Sequence, residues 1–118
     1  MSQSSKAVYV LGGAQTDFAR SWSREGLKID ALMSAALFDG LNSTGLEPRD
    51  IQSAHIGNFT AELFCHQGQL GGIFAGLHPD LSGVPASRHE AACASGSMAM
   101  LSAMAEIEAG RYVLVCRN

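Results

Sequence analysis

The sequence predicts an α/β fold: a mostly parallel sheet with helices on both faces. Three observations carry that expectation. Short β-branched or aromatic runs at residues 7–11, 51–57 and 112–116 alternate with helical stretches. The first two runs are separated by a helix-length connection, as a right-handed parallel crossover requires. Cys93 falls where an extended stretch turns into a helix, and α/β folds place their sites at the carboxyl ends of such strands.

Residues 7–11, Ala-Val-Tyr-Val-Leu, end at Gly12-Gly13 and read as a buried strand entering a loop. The loop, residues 14–26, carries Thr16, Asp17, Arg20, Trp22 and Arg24 and is too polar for core. From Ile29 the apolar positions Leu32, Met33, Ala36, Leu37, Gly40 and Leu41 follow the spacing of a helix with one buried face. Asp30 suits its first turn, and Gly45 supplies a left-handed stop. Residues 46–50 form a turn into the second strand, 51–57. Residues 67–76 hold Gly68, Gly71, Gly72 and Gly76 between apolar side chains, which predicts a closely packed helix ended by His78-Pro79-Asp80. A short extended piece, 86–91, leads to Cys93. Residues 94–108 are mostly Ala, Ser and Met, so this helix is expected to be buried nearly all round. Gly110 closes it before the last strand, 112–116.

A chain of 118 residues suits one domain, taken as 1–118 with residues 1–5 as a disordered leader. The formal net charge of -3 and the scattered eight Lys and Arg argue against a nucleic-acid partner. No apolar run is long enough to span a membrane, and residues 1–6 lack a signal-peptide layout. Cys65, Cys93 and Cys116 are odd in number and widely spaced, which fits free thiols in a reducing, cytoplasmic setting.

Cys93 is the candidate nucleophile. The first N–H groups of a helix lack internal partners and carry partial positive charge, which favours a thiolate. Ala91, Ala92, Ala94 and Gly96 leave room for a substrate to approach the sulfur. The competing reading is a buried structural cysteine. His89-Glu90-Ala91-Ala92-Cys93 stands one residue from the H-E-x-x-H zinc pattern, but the run reads as extended and lacks a third ligand, so no metal site is expected. His89 could act as a base for Cys93, although a histidine on a sheet face is the simpler reading. The Cys93 backbone N–H could serve as one oxyanion donor. The bases and further donors that acyl chemistry needs are not evident.

Residues 90–97, Glu-Ala-Ala-Cys-Ala-Ser-Gly-Ser, followed by a small-residue helix, resemble the nucleophile segment of the thiolase superfamily. Val8-Tyr9-Val10 leading to Gln15-Thr16-Asp17-Phe18 resembles that family's first strand and its following loop, and Ile56-Gly57-Asn58 with the glycine-rich segment, then Ala109-Gly110-Arg111-Tyr112, resemble later landmarks in the same order. The resemblance runs from Lys6 to Val115 and is nearest to acetyl-CoA acetyltransferases and sterol-carrier-protein-like thiolases. It implies the N-terminal half of a thiolase-like fold with the nucleophile at a strand-to-helix junction. It further implies acyl transfer from acyl-CoA through a Cys93 thioester, with coenzyme A as substrate, no bound cofactor, and a homo-oligomeric full-length enzyme. The implied acid-base groups belong to a second half. The run into Arg117-Asn118 departs from the family's apolar strand and glycine turn, which leads to the expectation of a truncated chain, inactive alone. The alternative is a non-catalytic remnant or interaction module that pairs with itself or another thiolase-like chain.

Overall fold

The structure, a computed structural model, describes residues 6–118, so the expected leader at residues 1–5 lies outside the described residues. Helix α1 (Ile29–Thr44) buries Met33, Leu37 and Leu41, four residues apart and so on one face. Gly45, at φ 73°, ends it, its N–H donating to the Leu41 carbonyl at 3.0 Å. A single 3₁₀ turn, Pro48–Asp50, is closed by the Glu47 N–H donating to the Asp50 carboxylate at 2.8 Å. It delivers the chain to β1 (Ser53–Gly57).

β1 is the central strand, with β2 (Ala86–His89) on one side and β3 (Val115–Arg117) on the other, all parallel. Its alternation sorts the molecule into two layers. Ala54 and Ile56 face the apolar core, where they join Met33, Leu37 and Leu41 of α1 and Leu70 and Phe74 of α3 (Leu70–Ala75). Cys116, level with Ala54 in register, packs on the same core. Gly71 is required there: a Cβ would collide with the Ala86 carbonyl, so only glycine lets α3 lie this close to β2. Ser53 and His55 point to the opposite face, which is covered by α4 (Ser95–Glu108). α4 presents Ser95, Ala99 and Ala103 inward, small side chains that permit close helix-to-sheet contact. The α/β architecture with a small parallel sheet and helices is as the sequence predicts.

Several boundaries differ. Residues 7–11 form no strand, and Tyr9, Val10 and Leu11 are exposed. β propensity needs a neighbouring strand to take up the backbone donors and acceptors, and none of the described strands runs beside this segment. β1 begins at Ser53 rather than residue 51, because the Ile51 N–H closes the 3₁₀ turn onto the Pro48 carbonyl. β3 starts at Val115 rather than residue 112. The Gln52 side-chain carbonyl takes the N–H groups of Val113 and Leu114 at 2.7 and 3.1 Å, which holds them out of the ladder. The expected helix at 67–76 is shorter. His66 and Gln69 adopt left-handed conformations (φ 53° and 54°), separating α3 from a one-turn helix α2 (Ala61–Cys65). α4 is not buried all round either: Met98 and Leu101 stand on its outer side, 43% and 55% exposed.

Candidate functional site

Cys93 occupies the turn between β2 and α4, inside a 3₁₀ segment at Ala92–Ala94. Cys93 is exposed there. The turn is held by short polar links. The Ala92 N–H donates to the Glu90 carboxylate at 2.6 Å, the Ala91 N–H donates to Ser95 Oγ at 2.9 Å, and Ser95 Oγ–H donates to the Ala92 carbonyl at 2.7 Å. Ala92 itself sits at φ 49°, a left-handed conformation that costs a non-glycine residue about 1–2 kcal/mol. Such a kink reverses the chain sharply and leaves Cys93 at the crest just ahead of α4. The close approach of β1 to the start of α4 fixes the turn from below: a Cβ on Gly57 would overlap the backbone of Ser95 and Gly96. The Arg117 guanidinium lies against Gly96 on the same helix start.

Among the described residues, the His89 ring bonds to His55, Ser87 and Ser102 and not to Cys93. It belongs to a chain of polar groups between the sheet and α4. His55 Nδ1 and His89 Nε2 lie 2.7 Å apart, and His55 Nε2 lies 2.9 Å from Glu106 Oε2. Ser53 Oγ–H donates to the same carboxylate oxygen at 2.6 Å. Ser87 Oγ stands 3.1 Å from His89 Nε2, and Ser102 Oγ stands 3.4 Å from His89 Nδ1. Burial raises Glu106, but the hydrogen bonds from His55 and Ser53 and the Arg111 charge outweigh it and hold the carboxyl below its ordinary range. Burial, and then the adjoining His55, hold His89 below an ordinary imidazole, while Glu106 pulls weakly the other way. Among the described residues no group of three or more His, Cys, Asp or Glu side chains is arranged to hold a metal ion.

The family model described as thiolase, N-terminal domain, matches residues 8–116. The chain belongs to the thiolase N-terminal domain family. An acetyl-CoA acetyltransferase of Methanocaldococcus jannaschii is 33% identical over 103 residues, covering 87% of this chain and 25% of that protein. An acetyl-CoA acetyltransferase of Methanothermobacter thermautotrophicus is 31% identical over 108 residues, covering 92% and 27% respectively. The chain therefore spans about a quarter of the length of the curated relatives it matches.

Within this thiolase N-terminal domain, an open groove of about 620 Å³ is lined by Phe59, Gln69, Ser87, Arg88 and Glu90 and reaches the residues just before the Cys93 turn. Arg88 is already engaged there, paired with the Glu62 carboxylate and donating to the Asn58 and Phe59 carbonyls, the latter at 2.7 Å. The other two cysteines differ from Cys93. Cys65 is exposed at the end of α2, and burial pushes the half-covered Cys116 thiol up to about 11. Sequence reading singled out His89 but missed its partners His55 and Glu106. A usable signal was present: His55 stands between Ala54 and Ile56 in a strand, and Glu106 continues the buried Ser95, Ala99, Ala103 stripe by a further helical turn. No helix among the described residues is long and apolar enough to cross a membrane.

Proposed function

We propose that this chain carries the nucleophile of an acyl-CoA acyltransferase of the acetyl-CoA acetyltransferase type, and that Cys93 is that nucleophile. In the reaction, the Cys93 thiolate adds to the thioester carbonyl of an acyl-CoA. The carbon–sulfur bond to coenzyme A then breaks, leaving the acyl group on Cys93 and a coenzyme A thiolate that takes up a proton. A second coenzyme A thiol, or the enolate of an acetyl-CoA, removes the acyl group and restores the Cys93 thiol. The Cys93 backbone N–H is one donor to the transient oxyanion. One donor and one sulfur do not complete such a cycle, so turnover requires acid-base groups from outside these 118 residues. Coenzyme A enters as substrate, and no resident cofactor is needed. The full enzyme works as a homo-oligomer, and a cytoplasmic location fits its free thiols.

The single observation that supports this reading best is the exposed Cys93 on a left-handed turn directly ahead of a 14-residue helix, in a chain whose family is thiolase. An S-alkylating acyl-CoA analogue tests it with the intact chain and Cys93→Ser. The reading predicts stoichiometric labelling of the first and strongly reduced labelling of the second. Equal labelling of the two would overturn it.

A second reading is favoured by a separate observation, the exposed apolar stripe of Met98 and Leu101 on α4. In that reading the chain is a non-catalytic module that pairs with itself or another thiolase-like chain through this face. The same experiment separates the two, since a pairing module has no reason to prefer Cys93.

A further inference from the structure

The polar chain beneath α4 ties together three elements and both arms of the Cys93 turn. His55 is on β1, His89 on β2 before the turn, and Ser102 and Glu106 on α4 after it. With Glu106 ionised, one arrangement of protons satisfies every contact. Ser102 Oγ–H donates to His89 Nδ1, His89 Nε2–H donates to His55 Nδ1, and His55 Nε2–H donates to Glu106 Oε2. A single added proton can be absorbed. If it sits on His55 Nδ1, the His55 ring becomes cationic while its Nε2–H still faces the Glu106 carboxylate; the new Nδ1–H donates to His89 Nε2, and His89 carries its remaining proton on Nδ1, toward Ser102. A second cannot, because both facing nitrogens, 2.7 Å apart, would then carry hydrogens and positive charge.

We propose that Glu106, His55 and His89 form a proton-sensitive clasp that holds the Cys93 turn at neutral pH and opens when both imidazoles are protonated. The clasp is buried at His55 and half-open at His89. Glu106 is the carboxylate facing it from α4, with Arg111 beyond it. Ser53 and Ser87 face it from the strands. Arg117 is level with His55 on β3, but its guanidinium is turned away onto Gly96. His55 is buried at 5% exposure, so solvent cannot easily substitute for His89 as its partner. The lowered titration of His89 agrees in sign: stability from this group is complete above the ordinary imidazole value and is lost as pH falls below it toward the folded value. This inference is independent of the role assigned to Cys93.

The test uses the full chain and His89→Gln, whose side-chain N–H can reach His55 Nδ1 but does not titrate. Amide hydrogen exchange of the two proteins is compared at about pH 8 and about pH 5, values chosen to bracket an ordinary imidazole. The clasp predicts equal exchange in residues 89–95 at the higher pH. At the lower pH the wild-type segment should exchange faster than the variant's, with α1 unchanged. Equal ratios at both pH values would overturn it, and so would a rise in wild-type exchange that is as large in α1 as at the turn. If His89→Gln does not fold, imidazole titration of the wild type by NMR decides. His89 is expected to titrate below an ordinary imidazole, with the amide signals of Ser102 and Glu106 moving in the same step. Titration of His89 at or above the ordinary imidazole value would contradict the clasp.

Discussion

Cys93 differs from the other two thiols by its setting rather than by its type. It is exposed ahead of a 14-residue helix, Cys65 is exposed at the end of a five-residue one, and Cys116 is packed on the core. Helix starts favour developing negative charge and helix ends do not. Alkylation by a small neutral reagent should therefore proceed in the order Cys93, Cys65, Cys116, as followed by peptide mass spectrometry. Cys65 reacting first would remove the physical basis of the assignment. Ala92 supports the same turn at a conformational cost. Ala92→Val places a β-branched residue at positive φ and should destabilise the fold by about 1–3 kcal/mol, read from thermal unfolding. Glu106→Ala would strand the buried donors of His55 and Ser53, with an expected loss of about 1–3 kcal/mol. Because Glu106 sits below its ordinary range, the stability it contributes is present above the usual carboxylate value and lost as pH falls through the folded one.

At the scale of elements, the crossing of β1 by α4 governs the site. The approach depends on small residues on both partners, and a Cβ on Gly57 would overlap the backbone of Ser95 and Gly96. Gly57→Ala should cost about 1–3 kcal/mol through overpacking and shift the start of α4, seen as altered amide chemical shifts in residues 91–97. The helices at α1 and α4 were legible in the sequence because their patterns are long and their stop signals, Gly45 and Gly110, are local. The extended piece before Cys93 was legible at its start, after Gly83-Val84-Pro85, although the strand ends at His89 rather than residue 91. Residues 7–11 were misread because strand propensity describes what a segment tolerates, whereas a strand exists only where a neighbour completes its hydrogen bonds. Val113 and Leu114 were misread for a related reason: the Gln52 side chain, 61 positions away from Val113 in sequence, takes their N–H groups. Cys93 could be picked out as a candidate from its place at an expected helix start among small neighbours. The His55–His89–Glu106 chain could not, because its members are separated by 34 and 51 residues and meet only once the parallel register is set.

For the molecule as a whole, the sheet sorts its two faces by chemistry, with an apolar core under α1 and α3 and a hydrogen-bonded polar layer under α4. The outward stripe of Met98 and Leu101 and the exposed Tyr9, Val10 and Leu11 give the domain apolar surface beyond that needed for its own core. Self-association is the expected consequence, and sedimentation that gives a monomer at all concentrations would count against a paired role for that surface. The core itself is anchored by Leu70 and Phe74, both fully buried, and Phe74→Ala should cost about 3–5 kcal/mol in chemical unfolding. None of these features decides the chemistry. The most direct measurement of the central claim is the position of the covalent adduct after the wild-type chain is exposed to an S-alkylating acyl-CoA analogue and digested. The account predicts the adduct on the peptide carrying Cys93, with Cys65 and Cys116 unmodified, and an adduct spread equally over Cys93 and Cys65 would contradict it.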